Sequence, residues 1–78
     1  MTVTLTDLKT LVGLQLGQSK IDETAHFVEE LGAESADILN IVLAVEDKYR
    51  VAIAESEMPE IRSTADLYAL VKRLKGKP

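Results

Sequence analysis

Leu5, Leu8, Leu11, Val12 and Leu16 recur at spacings of three and four, which gathers them on one face of a helix and leaves polar residues between them. The spacing predicts a first helix over Leu5–Leu16. Thr4 followed by Asp7 has the form of a capping box at its start, and Gly17 supplies a stop because glycine enters the left-handed conformation without steric cost. Residues 18–34 then form a long polar connection interrupted by Phe27, Val28 and Leu31, three residues expected to pin it to the core. A connection of that length exceeds the usual helix linker and points to a functional segment.

A second helix is predicted to begin near Ser35, with Ile38, Ile41, Val42, Val45 and Tyr49 as its core stripe. Ala36, Leu39 and Leu43 form another stripe turned about 100° from the first, so this helix carries more apolar width than one core requires. Something else should meet that side. Pro59 is expected to open a short helical turn through Ile61, with Met58 extended before it. The final helix starts from Ser63 and Asp66, a second capping box, and repeats Leu67, Leu70, Val71 and Leu74 on one face. Lys72, Arg73 and Lys75 suit its negative end, and Gly76 with Pro78 is expected to stop it. The expected architecture is all-α, a four-helix bundle with three longer helices and one short one, in a single domain over residues 1–78. With helices close to both ends and no linker, the chain reads as a complete protein rather than an excised module.

Composition narrows the chemistry. Aromatic residues make up only 4% of the 78 positions against 46% hydrophobic, so the core is aliphatic around Phe27, Tyr49 and Tyr68. The absence of cysteine removes disulfides, thiolate metal sites and a protein thiol nucleophile, and any thiol chemistry has to be imported. No signal peptide is recognisable, and no stretch approaches the ~20 apolar residues that span a bilayer. The expected location is the cytoplasm, without membrane insertion.

Charge is unevenly spread. Residues 22–60 carry eleven acids against Lys48 and Arg50, a net of −9, while the remainder sums to +5. A polyanionic middle repels phosphate backbones, which argues against nucleic acid and towards basic protein surfaces, or else serves solubility alone. His26 is the only histidine, has no cysteine partner and is expected to face water, so no catalytic residue is assigned. The pair Glu29 and Glu30 reads as solvated surface rather than a metal site, and Gly13, Gly17 and Gly32 do not match a phosphate-cradle spacing.

The stretch Leu31-Gly32-Ala33-Glu34-Ser35-Ala36-Asp37 stands apart, because a glycine precedes a serine at the predicted start of a helix. Unpaired N–H groups and the positive dipole end there favour a phosphate group; equally, Ser35 could be only an N-cap. Leu14-Gln15-Leu16-Gly17 resembles the end of the first helix in acyl carrier proteins. Phe27 to Ser35 is similar to that family's approach to its modified serine, F-x-x-D-L-G-x-D-S-L, and Val42 to Tyr49 resembles the end of its second helix.

The resemblance implies that Ser35 receives 4′-phosphopantetheine from coenzyme A through a separate phosphopantetheinyl transferase, and that acyl groups ride on the arm as thioesters. It implies a partner-binding second helix, with charge from Glu34, Asp37, Glu46 and Asp47 and contact through Ala36, Leu39, Asn40 and Leu43. Its partners would be acyl-ligases, ketosynthases or acyltransferases with basic docking surfaces, met by a monomeric carrier. It also implies an acyl pocket, for which Ile53, Ile61 and Leu67 are the candidate lining. Three positions depart from the family's pattern: Glu34 replaces the usual Asp, Ala36 a large apolar residue, and Asn40 a common Glu. These departures suggest a specialised carrier rather than a housekeeping one. The alternatives are an aminoacyl or peptidyl carrier and a helical adaptor that bears no arm.

Overall fold

The computed structural model describes residues 2–76, which form three α-helices and one short 3₁₀ helix. Helix α1 spans Leu5–Leu16, α2 spans Ser35–Tyr49, the 3₁₀ helix covers Glu55–Glu60 and α3 spans Thr64–Lys75. Helix α1 packs against both α2 and α3. Between them lies an aliphatic core in which Leu8, Val12, Ile41, Val45, Leu67 and Val71 have no exposed surface, and which also encloses Phe27 and Tyr49. Burying side chains of this size contributes about 1.5–3 kcal/mol each.

Local chemistry sets the helix ends where the periodicity put them. Thr4 Oγ1 accepts the Asp7 N–H at 3.1 Å and starts α1. Gly17 ends it at φ 68°, and both Gly17 and Gln18 donate back to the Gly13 carbonyl, so a left-handed cap satisfies an acceptor that the helix end leaves over. Gly13 is needed for a different reason: a Cβ there would stand 2.5 Å from the Gln18 carbonyl oxygen.

Helix α2 closes similarly, with Arg50 left-handed at φ 56° and the Val51 N–H donating to Glu46 O at 3.3 Å. Lys75 Nζ reaches across from α3 to donate to the Tyr49 carbonyl at 3.2 Å. A lysine expected to complement its own helix thus caps its neighbour. At the start of α3, Ser63 Oγ accepts the Asp66 N–H at 3.2 Å while Asp66 Oδ2 accepts the Arg62 N–H at 3.1 Å.

The long connection is fixed rather than slack. Phe27 donates its N–H to Arg62 O at 2.8 Å beside a His26–Ser63 bridge, and Ala65 donates to Glu23 O at 2.8 Å. Gln18 Nε2 holds the Leu31 carbonyl at 2.9 Å. Asp22 accepts the backbone N–H and the hydroxyl of Thr24, and those bonds, helped by the charge of Lys9, keep its carboxyl below the usual 3.8.

Three expectations are corrected. Val28 is 62% exposed, because Glu30 and Leu31 both donate to the His26 carbonyl; this helix-like turn points Phe27 and Leu31, four residues apart, inward and Val28 out. Pro59 lies near the end of the short helix, which begins four residues earlier at Glu55 and includes Met58. The 3₁₀ ladder runs from Glu57 N–H to Ala54 O through Ile61 N–H to Met58 O and tolerates the rung that proline cannot make. Gly76 follows α3 in a right-handed conformation at φ −79°, so its freedom at positive φ is unused, and Pro78 lies outside the described residues.

Tyr49 is 1% exposed and its hydroxyl has no hydrogen-bond partner. Burial pushes its pKa above the usual 10.0, with the nearby Asp7 charge adding to the effect. Above about pH 10 the unfolded chain therefore releases this proton before the folded one does, and stability falls as pH rises. Tyr49→Phe is expected to hold or gain stability at neutral pH, by up to about 1 kcal/mol, since no bond is lost. Urea melts across pH 7–11 should show a shallower alkaline decline than in the parent chain.

Candidate functional site

The approach to α2 is built in three steps. Gly32, at φ 72°, turns the chain in a conformation that glycine adopts without strain. Ala33 is buried and donates its N–H to Phe27 O at 2.8 Å, which plugs the turn into the core. Glu34 is then extended, at φ −96° and ψ 170°, and serves as the N-cap residue of α2.

Ser35 is therefore the first residue inside the helix, not its cap. The capping is done from Asp37, whose Oδ2 accepts the Glu34 N–H at 2.9 Å. Ser35 is exposed, and its hydroxyl makes no hydrogen bond among the described residues. It stands at a helix terminus whose first-turn N–H groups lack intrahelical acceptors and carry partial positive charge. A small, solvent-facing hydroxyl at that end has the room and the electrostatics to carry a phosphodiester.

Along α2 from Ser35, Ala36, Leu39 and Leu43 are exposed, the two leucines at 51% and 53%. Ile41, Val42, Val45 and Tyr49 are buried, and Ile38 packs at the core's edge. The second stripe thus stays outside the core and open to solvent. Asn40, Glu34 and Asp47 are exposed beside it.

The remaining two predicted contact acids are engaged internally. Asp37 caps its helix, and Glu46 Oε2 accepts the Ile53 N–H at 2.7 Å, tying α2 to the segment that follows. Their charge still contributes to the field outside, but their geometry is set by the fold.

A crevice of about 390 Å³ opens between the turn at residues 26–29, the helix position Ile38 and residues 58–62. Val28, Ile38, Met58 and Ile61 give it apolar walls, and His26, Glu29 and Arg62 stand in the same lining. Of the predicted pocket residues, Ile61 lines this crevice. Ile53 packs against the core elsewhere, and Leu67 is wholly inside it. Sequence reasoning missed Val28, Ile38 and Met58 as lining because the crevice joins three separate segments, and no periodicity links them. Among the described residues no group of three or more His, Asp or Glu side chains is disposed to hold a metal ion. None of the described helices is long and apolar enough to cross a membrane.

Residues 6–71 match the family model described as a phosphopantetheine attachment site. An acyl carrier protein of Phaeodactylum tricornutum is 36% identical over 70 residues, covering 87% of this chain and 92% of that protein. The acyl carrier protein of Chlamydia caviae is 29% identical over 72 residues, covering 90% and 94%. The chain belongs to the acyl carrier protein family.

Among solved structures, the oxytetracycline acyl carrier protein superposes with a TM-score of 0.79 at 28% identity, covering all of this chain and 90% of that one. A chain from the ishigamide ketosynthase/chain length factor structure shares the fold, with a TM-score of 0.77 at 19% identity over 94% of each chain. Family membership makes the protein a non-enzymatic carrier whose cofactor is covalent 4′-phosphopantetheine, the group that holds acyl cargo as a thioester. The exposed hydroxyl and free helix terminus at Ser35 fit that group.

The two roles open to Ser35 separate in stability measurements. With its hydroxyl unpartnered, Ser35→Ala is expected to change unfolding free energy by less than about 0.5 kcal/mol. Asp37→Ala removes the cap and should cost about 1 kcal/mol. Chemical denaturation of the two variants checks this, and a large loss in Ser35→Ala would return the serine to a structural role.

Proposed function

We propose that Ser35 is the attachment point of the phosphopantetheine arm. The observation that carries this is an exposed hydroxyl, free of structural duty, on the first residue of α2. In the loading step Oγ bonds to the phosphorus that becomes the diester and gives up its proton, while the bond to the departing adenosine 3′,5′-bisphosphate breaks. A transferase supplies the base. Incubation with coenzyme A, magnesium and a phosphopantetheinyl transferase should add the mass of one arm to the parent chain and nothing to Ser35→Ala. A helical adaptor would gain no mass in either form.

The partner surface in this reading is the exposed stripe Ala36, Leu39 and Leu43, with Asn40, Glu34 and Asp47 beside it and the fields of Asp37 and Glu46 behind. Acids of this kind steer encounters with basic enzyme surfaces, favouring the fast exchange a carrier needs. Acyl-ligases, ketosynthases or acyltransferases are the proposed partners. The similarity to the oxytetracycline carrier at 28% identity supports cargo of the lipid or polyketide type over amino acids. The proposed setting is a monomeric single domain over residues 1–78, working in the cytoplasm.

Ala36 supports a dedicated pathway. It is exposed next to the proposed attachment residue and leaves a step where a larger side chain would present an anchor. Losing such an anchor costs on the order of 1–2 kcal/mol of binding. Ala36→Leu is therefore expected to raise the loading rate by general fatty-acid acyl-ligases about tenfold while leaving folding intact. Equal rates for the two proteins across several ligases would remove the argument for specialisation.

A further inference from the structure

Leu8, Leu11 and Val12 turn one side of α1 to the core and leave the other to Thr6, Thr10 and Leu14, which recur every four residues and so form one continuous ridge. Leu14 is 78% exposed, more than any other large hydrophobic side chain among the described residues. A single exposed leucine is ordinary. This one separates two crevices, because Thr10 and Leu14 line both. The first, about 720 Å³, runs on to residues 18–22, with buried Gly13 and Ile21 in its lining and Lys9 and Lys20 beside them. The second, about 250 Å³, reaches α2 at Lys48. A ridge with a groove on each side is the surface on which a second helix packs, its own side chains entering the grooves. Neither crevice includes Ala36, Leu39 or Leu43, so the ridge is separate from the stripe on α2.

The charges around the ridge select which helix. Lys9 is engaged by Glu23 at 3.7 Å, and Asp22 directs its carboxylate to the N–H and hydroxyl of Thr24. Lys20 and Lys48 have no carboxylate within ion-pair distance among the described residues, and Asp7 is the one acid of the two linings that is likewise unengaged. Two cations against one acid leave a net of +1, opposite in sign to the acids exposed on α2. Lys48 Nζ lies 5.7 Å from the centroid of the Tyr49 ring, a weak contact that keeps its donors for a carboxylate.

We propose that α1 carries a second docking surface, centred on Leu14, for an acidic amphipathic helix of a partner protein. Its apolar stripe covers Leu14 and its acids meet Lys20 and Lys48. A basic surface of the kind that suits α2 is repelled there, so the two faces sort partners by the sign of their charge. A partner held on α1 leaves the stripe of α2 open for a different one.

The test uses a stapled amphipathic helix of about 15 residues, with a leucine stripe flanked by glutamates, and a counterpart with lysines in place of the glutamates. Each is titrated into the chain without an arm while amide NMR signals are followed, so the outcome is independent of Ser35. The glutamate helix is expected to shift Thr10, Leu14, Ser19 and Lys48 and to leave Ala36 and Leu39 in place. Leu14→Gln should weaken that binding about tenfold. Lys20→Glu should weaken it roughly fivefold, and Leu39→Gln should not change it. All three side chains are exposed, and each variant's amide spectrum verifies its fold. No shift at Leu14, equal shifts there with the lysine helix, or unchanged affinity in Leu14→Gln overturns the proposal. Shifts at Leu14 that follow the concentration of the chain alone also overturn it, by giving the ridge to a second copy.

Discussion

Phe27 joins three parts of the molecule through one residue. Its N–H donates to Arg62 ahead of α3, its carbonyl accepts from Ala33 at the entry to α2, and its ring is buried among residues of all three α-helices. A buried backbone group without a partner costs free energy comparable to a lost hydrogen bond, so the two bonds and the ring position reinforce one another. With Phe27 fixed, Ala33 is fixed, and the single glycine between Leu31 and Ala33 turns the chain so that Ser35 arrives at the start of α2 facing water. The serine's exposure is thus a consequence of packing eight residues away.

The acidic middle of the chain has a use that composition does not reveal. Asp22, Glu30, Asp37, Glu46 and Glu57 each accept a backbone N–H in a turn or at a helix end, as does Asp66 farther on. Glu57 also pairs with Arg73, tying the 3₁₀ helix to α3. Such bonds satisfy donors that short helices and long turns leave over. A count of charges reads these acids either as solubility or as a docking field. In the structure a good part of them holds an irregular backbone together, and Glu34 and Asp47 on α2 stay outside that framework.

What the sequence made legible follows from what each signal measures. The three α-helices were readable to the residue at most ends, because apolar spacing and capping residues are local and Thr4, Gly17 and Ser63 act within one turn of themselves. The cap of α2 was half readable: Asp37 was noted for its charge, while its bond to the Glu34 N–H belongs to the geometry of the entry. Val28 was misread because hydrophobicity says nothing of direction in a turn whose hydrogen bonds are not yet known. The 3₁₀ helix was placed late because proline at position 59 outweighed Glu55 and Glu57, weak signals at its true start. The crevice was illegible, since it exists only where Val28, Ile38 and Met58 converge.

Separating the two faces of α2 resolves a conflict that a small domain meets acutely. Seventy-eight residues bury a modest fraction of their surface, and leaving Leu39 and Leu43 half exposed forgoes roughly 25 cal/mol for each Å² that could have been covered. Turning them inward would require rotating Ile41, Val45 and Tyr49 out, which would destroy the contact with α1. The helix therefore cannot exchange one stripe for the other. A partner that covers Leu39 and Leu43 gains apolar burial without competing with the folding core, so docking and release leave the helix in place. For a carrier, that independence keeps the proposed attachment end of α2 in one geometry throughout.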